Sequence, residues 1–151
     1  MNNRTYLDNC SFNRPYDDQT ILRNYLEAEA KTYIQLQIIN KNLELAWSYM
    51  MDYEIYFNPF ENRKIQIQKW KNIAGVNIQY SENNVILAKH IQKQKLKINN
   101  LALKGGVLNP SARIKDSIHI ACAIEAECKY YVTTDDKLLN KIIDNIIIGT
   151  Q

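Results

Sequence analysis

The run from Lys115 to Asp136, KDSIHIACAIEAECKYYVTTDD, constrains this chain more than any other. Ile118, Ile120, Ala121, Ala123 and Ile124 leave little polar surface on the helix they predict, so that helix is buried on most sides. Small Ala121, Cys122, Ala123 and Ala126 let it lie close against a sheet. Asp116 is expected in its first turn, where exposed N–H groups and the helix dipole favour a carboxylate. Tyr130–Thr133 then forms a short β-prone run, and Thr134, Asp135 and Asp136 leave it. An acid just past the carboxyl end of a strand stands where open α/β sheets place their ligands.

The same alternation runs through the rest of the chain. Arg4–Leu7 reads as a strand ending at Asp8, and the polar stretch Asn9 to Asp18, with Pro15, as a loop. Asp17 or Asp18 can cap a helix from about Thr20 to Asn40, with Leu22, Tyr25, Leu26, Ala30, Tyr33 and Leu36 at helical spacing. Leu43–Trp47 is the second strand, and Ser48 caps a helix carrying Asp52 and Glu54. Asn58-Pro59 starts another helix, reaching Asn72, before a third strand at Val76–Tyr80. Ser81 caps a helix from about Glu82 to Lys97, and Ile98–Arg113, with Gly105, Gly106 and Pro110, reads as a loop. Asp136–Lys141 is a helical turn, and Ile146–Ile148 a fifth strand after the fourth at Tyr130. There is no repeat and no low-complexity linker, so residues 1–151 are expected to form one domain. Strands alternating with helices predict an α/β fold whose parallel sheet is covered on both faces.

Charge and cysteines bound the partners. A net charge of +3 is too mild to announce nucleic acid by itself. Cys10, Cys122 and Cys128 are an odd number without metal-type spacing, which fits reduced thiols in a cytoplasmic protein. No segment approaches the roughly 18 apolar residues of a membrane span, and the start, MNNRTYLDN, has no signal-peptide core.

Four carboxylates carry the chemistry. Asp8 leaves the first strand, Glu54 lies on the helix after the second, Asp116 opens the buried helix and Asp135 leaves the fourth strand. In a doubly wound sheet all four can converge over the carboxyl edge of the central strands. Each taken alone can instead be a turn former or a helix cap. Together they repel, and a divalent cation resolves the repulsion. Hard oxygen ligands, without His or Cys at ligand spacing, favour Mg²⁺ or Mn²⁺ over Zn²⁺. Such ions activate water and stabilise the charge that develops in phosphodiester displacement.

Four blocks in order resemble those of the PIN-domain nucleases. Tyr6-Leu7-Asp8-Asn9 resembles their opening strand, and Ser48 to Glu54 is similar to the second block with its terminal acid. Lys115 to Ala123 looks like the third block, and Val132 to Leu139 the fourth. Ser11 to Gln19, with Asn13-Arg14-Pro15, resembles one bacterial subgroup. The resemblance spans nearly the whole chain. It implies a three-layer α/β/α fold with a central, mainly parallel sheet of four to five strands. It also implies a Mg²⁺- or Mn²⁺-dependent ribonuclease, with Asp8, Glu54, Asp116 and Asp135 as the metal-holding acids and an RNA substrate. Many such relatives are VapC-type toxins with a protein antitoxin, and they are often dimers. The sequence departs from the pattern in a longer stretch at Ile98–Arg113 and in an end that stops early after Ile148.

Further residues belong around the acids. Asn9 follows Asp8, and Thr133 can orient a carboxylate or a water. His119, one turn beyond Asp116, is either a proton shuttle or phosphate contact, or a hydrogen-bonded structural histidine. Arg14 either holds a backbone phosphate or pairs with Asp17 or Asp18. Tyr53 and Tyr56 bracket Glu54, where they stack on an unpaired base or fill the core. Lys93, Lys95 and Lys97 form a basic helix end, open to RNA phosphates or simply solvated. The competing class is a PIN-like module that binds RNA or protein without chemistry. A phosphoacceptor domain or an Asp-x-Asp phosphatase fits poorly, because Asn9 and Cys10 follow Asp8.

Overall fold

A computed structural model describes residues 3–102, 110–133, 142–143 and 146–149. Strand β1 (Arg4–Leu7) leads into helix α1 (Asn9–Asn13) and a 3₁₀ turn at Arg14–Tyr16. Then come α2 (Leu22–Ile39), β2 (Glu44–Ser48), α3 (Tyr49–Tyr56), α4 (Glu61–Gln68), a second 3₁₀ turn (Lys69–Ile73) and β3 (Val76–Ile78). Helices α5 (Glu82–Ala102) and α6 (Pro110–Glu125) precede β4 (Tyr130–Val132), β5 (Ile142–Ile143) and β6 (Ile146–Gly149). The strands lie in the order β3-β2-β1-β4-β6-β5. All neighbours are parallel except the short β5, which runs antiparallel to β6 at the edge.

Both faces of the central strands are covered. Tyr6 and Ser48 point towards His119 of α6, whereas the alternate residue Trp47 packs edge-on against Phe12 of α1, with ring centroids 5.6 Å apart. Tyr6 stacks on Tyr131 of the neighbouring strand, 5.5 Å apart and nearly coplanar. Helix α6 closes with a bond from the Cys128 N–H to the Ala123 carbonyl, at 3.0 Å, and with Glu127 at a φ of 56°. That left-handed cap turns the chain back into β4.

Three local expectations change. The stretch Asn9 to Asp18 is not loop throughout, because the Asp8 carboxylate caps α1 by accepting from the Ser11 N–H. Both described ends of the expected loop Ile98–Arg113 are helix: α5 runs on to Ala102 and α6 begins at Pro110, a residue suited to a first turn. Asp116 consequently lies well inside α6 rather than at its opening, and the dipole argument for it falls away. The helical turn expected at Asp136–Lys141 lies outside the described residues.

Helix α2 buries a mixed face, with Ala28 and Ile38 beside polar residues, and leaves much apolar surface outside. Leu22, Leu26, Tyr33, Leu36 and Ile39 form its exposed stripe, at 49–69% accessibility, while Glu27, Lys31 and Gln35 are buried. Glu27 is held by Arg14 at 2.9 Å and Arg23 at 2.7 Å. The Lys31 ammonium sits 5.2 Å from the Phe12 ring centre.

Burial pulls the Lys31 pKa from 10.5 down to about 7. The folded chain then binds fewer protons than the unfolded one between those values. The penalty on folding is therefore complete below pH 7 and fades as pH rises towards 10.5. Lys31→Met should stabilise the protein by roughly 2 kcal/mol near pH 6, with the ring contact partly offsetting the lost penalty, and by almost nothing near pH 10. Urea unfolding of both forms across that range checks this. A difference that does not vary with pH would refute it.

Candidate active site

The carboxyl ends of β1 and β4 meet in a small polar knot. Strand β1 delivers Asp8, which is 5% exposed. Its carboxylate accepts from the Ser11 N–H at 2.9 Å and from the Thr133 hydroxyl at 2.5 Å. Its own N–H and the Ser11 hydroxyl both reach the Val132 carbonyl, at 3.2 Å each. Burial pushes the Asp8 pKa up, and the bonds from Thr133 and Ser11 only partly offset it.

Glu54 is placed by the next crossover. Ser48, the last residue of β2, caps α3 by accepting from the Met51 N–H, so the helix starts directly off the strand. That puts Glu54 against α6, where His119 Nε2 lies 2.6 Å from its Oε1. The other ring nitrogen of His119 bonds the Tyr6 hydroxyl, which in turn bonds the Ser48 hydroxyl at 2.7 Å. With Glu54 ionised, His119 Nε2–H is the donor to it, and the Tyr6 and Ser48 hydroxyls extend the chain from the other ring nitrogen. Burial acts to raise the Glu54 pKa, but the His119 bond and charge, an Asn9 bond and the Lys115 charge outweigh it, so the carboxyl lies below its usual value.

Asp116, on α6, stands next to Lys115 at the same end of the sheet. With Glu54 it lines a cleft of about 540 Å³, shared with Asn9, Asn13, Asn58, Lys115 and the aromatic side chains of α3 and the α3–α4 corner. Two buried tyrosines register the gathered charge. Burial raises the Tyr6 hydroxyl well above its ordinary value, and Glu54 and Asp8 add to it; burial does the same to Tyr131, with Asp8 and Asp116 adding. The Tyr131 hydroxyl is buried without a hydrogen-bond partner among the described residues.

The expected residues therefore divide. Asp8, Asn9, Glu54, Asp116, His119 and Thr133 belong to one locality. Asp135 lies outside the described residues. Arg14 does not line the cleft; it is held by Asp17 at 3.3 Å, Asn24 at 2.8 Å and Glu27 at 2.9 Å. His119 is 2% exposed, which makes it an internal hydrogen-bonding residue that holds Glu54. The cleft residues Phe57, Phe60 and Arg63 were not legible in the sequence, because nothing local marks the corner between α3 and α4 as facing the acids.

No group of three or more His, Cys, Asp or Glu is arranged to hold a metal ion among the described residues. The chemistry of the donors present still suits a hard cation. They are carboxylate oxygens, and buried Asp8 is bonded by amide and hydroxyl donors only.

No family model matches the chain, and no curated protein does. Among solved structures, a chain of VapBC2 from Rickettsia felis, bound to a DNA fragment from their promoter, is similar with a TM-score of 0.55. The two are 16% identical, and the match covers 97% of this chain and 98% of that one. The likeness shows the fold, an α/β PIN-like arrangement with parallel strands flanked by helices. No helix among the described residues is long and apolar enough to cross a membrane.

The raised pKa of Asp8 has a measurable consequence. Its penalty is absent in acid, where both states are protonated, and sets in as pH rises above the ordinary 3.8. Asn caps a helix as well as Asp does. In chelator, Asp8→Asn should raise the melting temperature at neutral pH, and the gain should disappear towards pH 3. A variant that melts lower than the parent at neutral pH would show that the Asp8 charge is compensated.

Proposed function

We propose that this chain is an endoribonuclease that hydrolyses RNA phosphodiester bonds, with Mg²⁺ or Mn²⁺ held by Asp8, Glu54, Asp116 and Asp135. The reading is supported by Glu54 and Asp116 lining one cleft, next to Asn9 and so to the end of the central strand that carries Asp8. Such a cation, when bound, lowers the pKa of a water and offsets charge developing on the phosphate oxygens. The chain's own residues prepare that site. Thr133 and Ser11 fix the orientation of the Asp8 carboxylate, and His119 keeps Glu54 ionised and aimed. Lys115 supplies positive charge at the mouth, where a phosphate would enter. RNA rather than DNA follows from the resemblance to PIN nucleases.

The toxin role extends the same reading. Similarity to VapBC2 supports a second protein that neutralises this one. The outward stripe of α2, Leu22, Leu26, Tyr33, Leu36 and Ile39, is a face for an apolar helix of that antitoxin. If the neighbouring gene encodes a small partner, co-expression should give a complex that Leu26→Asp weakens by at least about tenfold. Self-association through this stripe, abolished by the same change, would instead assign it to a homodimer.

One observation favours a second reading, a PIN-like module that binds RNA or protein without chemistry. Glu54 is already hydrogen-bonded to His119 at 2.6 Å, and a carboxylate so satisfied needs no metal. Incubation of the purified chain with labelled RNAs, structured tRNA among them, in Mn²⁺, Mg²⁺ or chelator separates the two. Cleavage should require metal and vanish in Asp116→Asn and Asp135→Asn, with circular dichroism unchanged. RNA left intact in either metal, or cut equally by both variants, would hand the chain to the second reading.

A further inference from the structure

We infer that the aromatic end of the cleft is a subsite for one unpaired nucleotide of a single-stranded substrate, with Phe57 as its stacking surface. The inference deepens the ribonuclease reading and rests on it. Tyr53 and Phe57 stand four residues apart on α3 and its cap, hence on one side, with ring centroids 4.9 Å apart. Both line the cleft that holds Glu54 and Asp116, and Phe60 joins them from the α3–α4 corner. These rings are not core. Tyr53 is 47% exposed, Phe57 62% and Phe60 55%. Phe57, the most exposed of the three, carries no cation among the described residues and keeps ring surface open to a flat ligand.

The charges around the rings choose the occupant. Arg63 lies over the Phe60 ring at 4.3 Å and the Lys115 ammonium lies 5.4 Å from the Tyr53 ring. Cations beside exposed aromatic faces suit a nucleotide, whose base stacks on the ring while its phosphate meets the cation. An apolar peptide side chain would use the rings but make no use of the Lys115 charge beside them. One wall adds base-edge chemistry. Asn58 donates to the Asn13 side-chain carbonyl at 3.1 Å, and Asn13 donates to the Asn9 side-chain carbonyl at 3.0 Å, a row of amides along the cleft. Amides pair with the Watson–Crick edges of splayed bases, which a duplex does not offer. The substrate class is therefore single-stranded or looped RNA, with an unpaired base seated next to the acids.

The test uses the full chain in chelator, so that binding is read without cleavage. Fluorescence anisotropy compares a short labelled single-stranded RNA with the same sequence in a duplex. The parent should prefer the single strand, Phe57→Ala should weaken it about tenfold, and Phe57→Trp should restore it. In metal, Phe57→Ala should raise KM on the same strand by a similar factor and leave kcat nearly unchanged. A Phe57→Ala protein that binds as the parent does, or a parent that holds duplex as tightly as single strand, would overturn the subsite. So would a parent that binds no single strand, which would give the rings to a peptide. Cleavage lost in Asp116→Asn but indifferent to Phe57 would keep the nuclease and remove the subsite. Single-strand binding that depends on Phe57, without cleavage in any metal, would keep the subsite and remove the nuclease.

Discussion

A hydrogen-bonded chain from Ser48 through Tyr6 and His119 to Glu54 joins β2, β1, α6 and α3. Tyr6 is fully buried and His119 nearly so, and leaving either unpaired there would cost about 1–3 kcal/mol. The two helices joined by the last bond are the ones that wall the cleft. Helix α3 and its cap bring Tyr53, Glu54 and Phe57, and α6 brings Lys115 and Asp116. The distance between acids on different helices is thus set by groups that contact no solvent. Because the bonds are continuous, a change at Ser48 would be felt at Glu54 although the two are on opposite ends of the chain.

The same arrangement gives two neighbouring carboxylates opposite electrostatic characters. Asp8 has hydroxyl and amide donors, no cation among its bonded partners, and a raised pKa. Glu54 is also largely buried, yet His119, Asn9 and Lys115 drive its pKa down. Burial acts on both in the same direction and more heavily on Asp8, so depth and partners together make the difference. One acid enters the cleft region as a settled anion. The other is an anion that gains most from any positive charge brought near it, which is the property expected of a group meant to meet a cation.

The sheet and its crossovers were legible because their signals are local. Alternation of β-prone runs with capped helices gave β1 to β4 and β6, and Ser48 was read correctly as the cap of α3. The cap at α1 was also there to find, since Asp8 and Ser11 stand three apart, but Pro15 and the polar run hid it. Gly105, Gly106 and Pro110 made Ile98–Arg113 read as loop, whereas Pro at the first position of α6 is compatible with helix. That error moved Asp116 to a helix start it does not occupy. Its place beside Glu54 survives for a different reason, the packing of α6 against α3. The partners of the acids were the illegible part: that His119 would bond Glu54, and that Phe57, Phe60 and Arg63 would face them, follows only from tertiary contacts.

Helix α2 shows where periodicity stops being informative. Spacing alone identified the helix and could not say which face turns inwards. Here a mixed face does: Ala28 and Ile38 turn in together with Glu27, which has Arg14 and Arg23 to meet, and Lys31, which has the Phe12 ring. The apolar stripe is left outside, and none of its residues lines the cleft. Stripe and cleft also differ in kind. The stripe offers mainly aliphatic side chains with Tyr33 among them, whereas the cleft pairs aromatic rings with Arg63, Lys115 and asparagine amides. One suits an apolar helix and the other a nucleotide, so the two surfaces do not compete for the same ligand. A protein bound along α2 would inhibit the chemistry only by sending a further segment into the cleft. That segment would need a positive charge for Asp116 and Glu54, and displacing His119 from Glu54 would cost it a buried hydrogen bond.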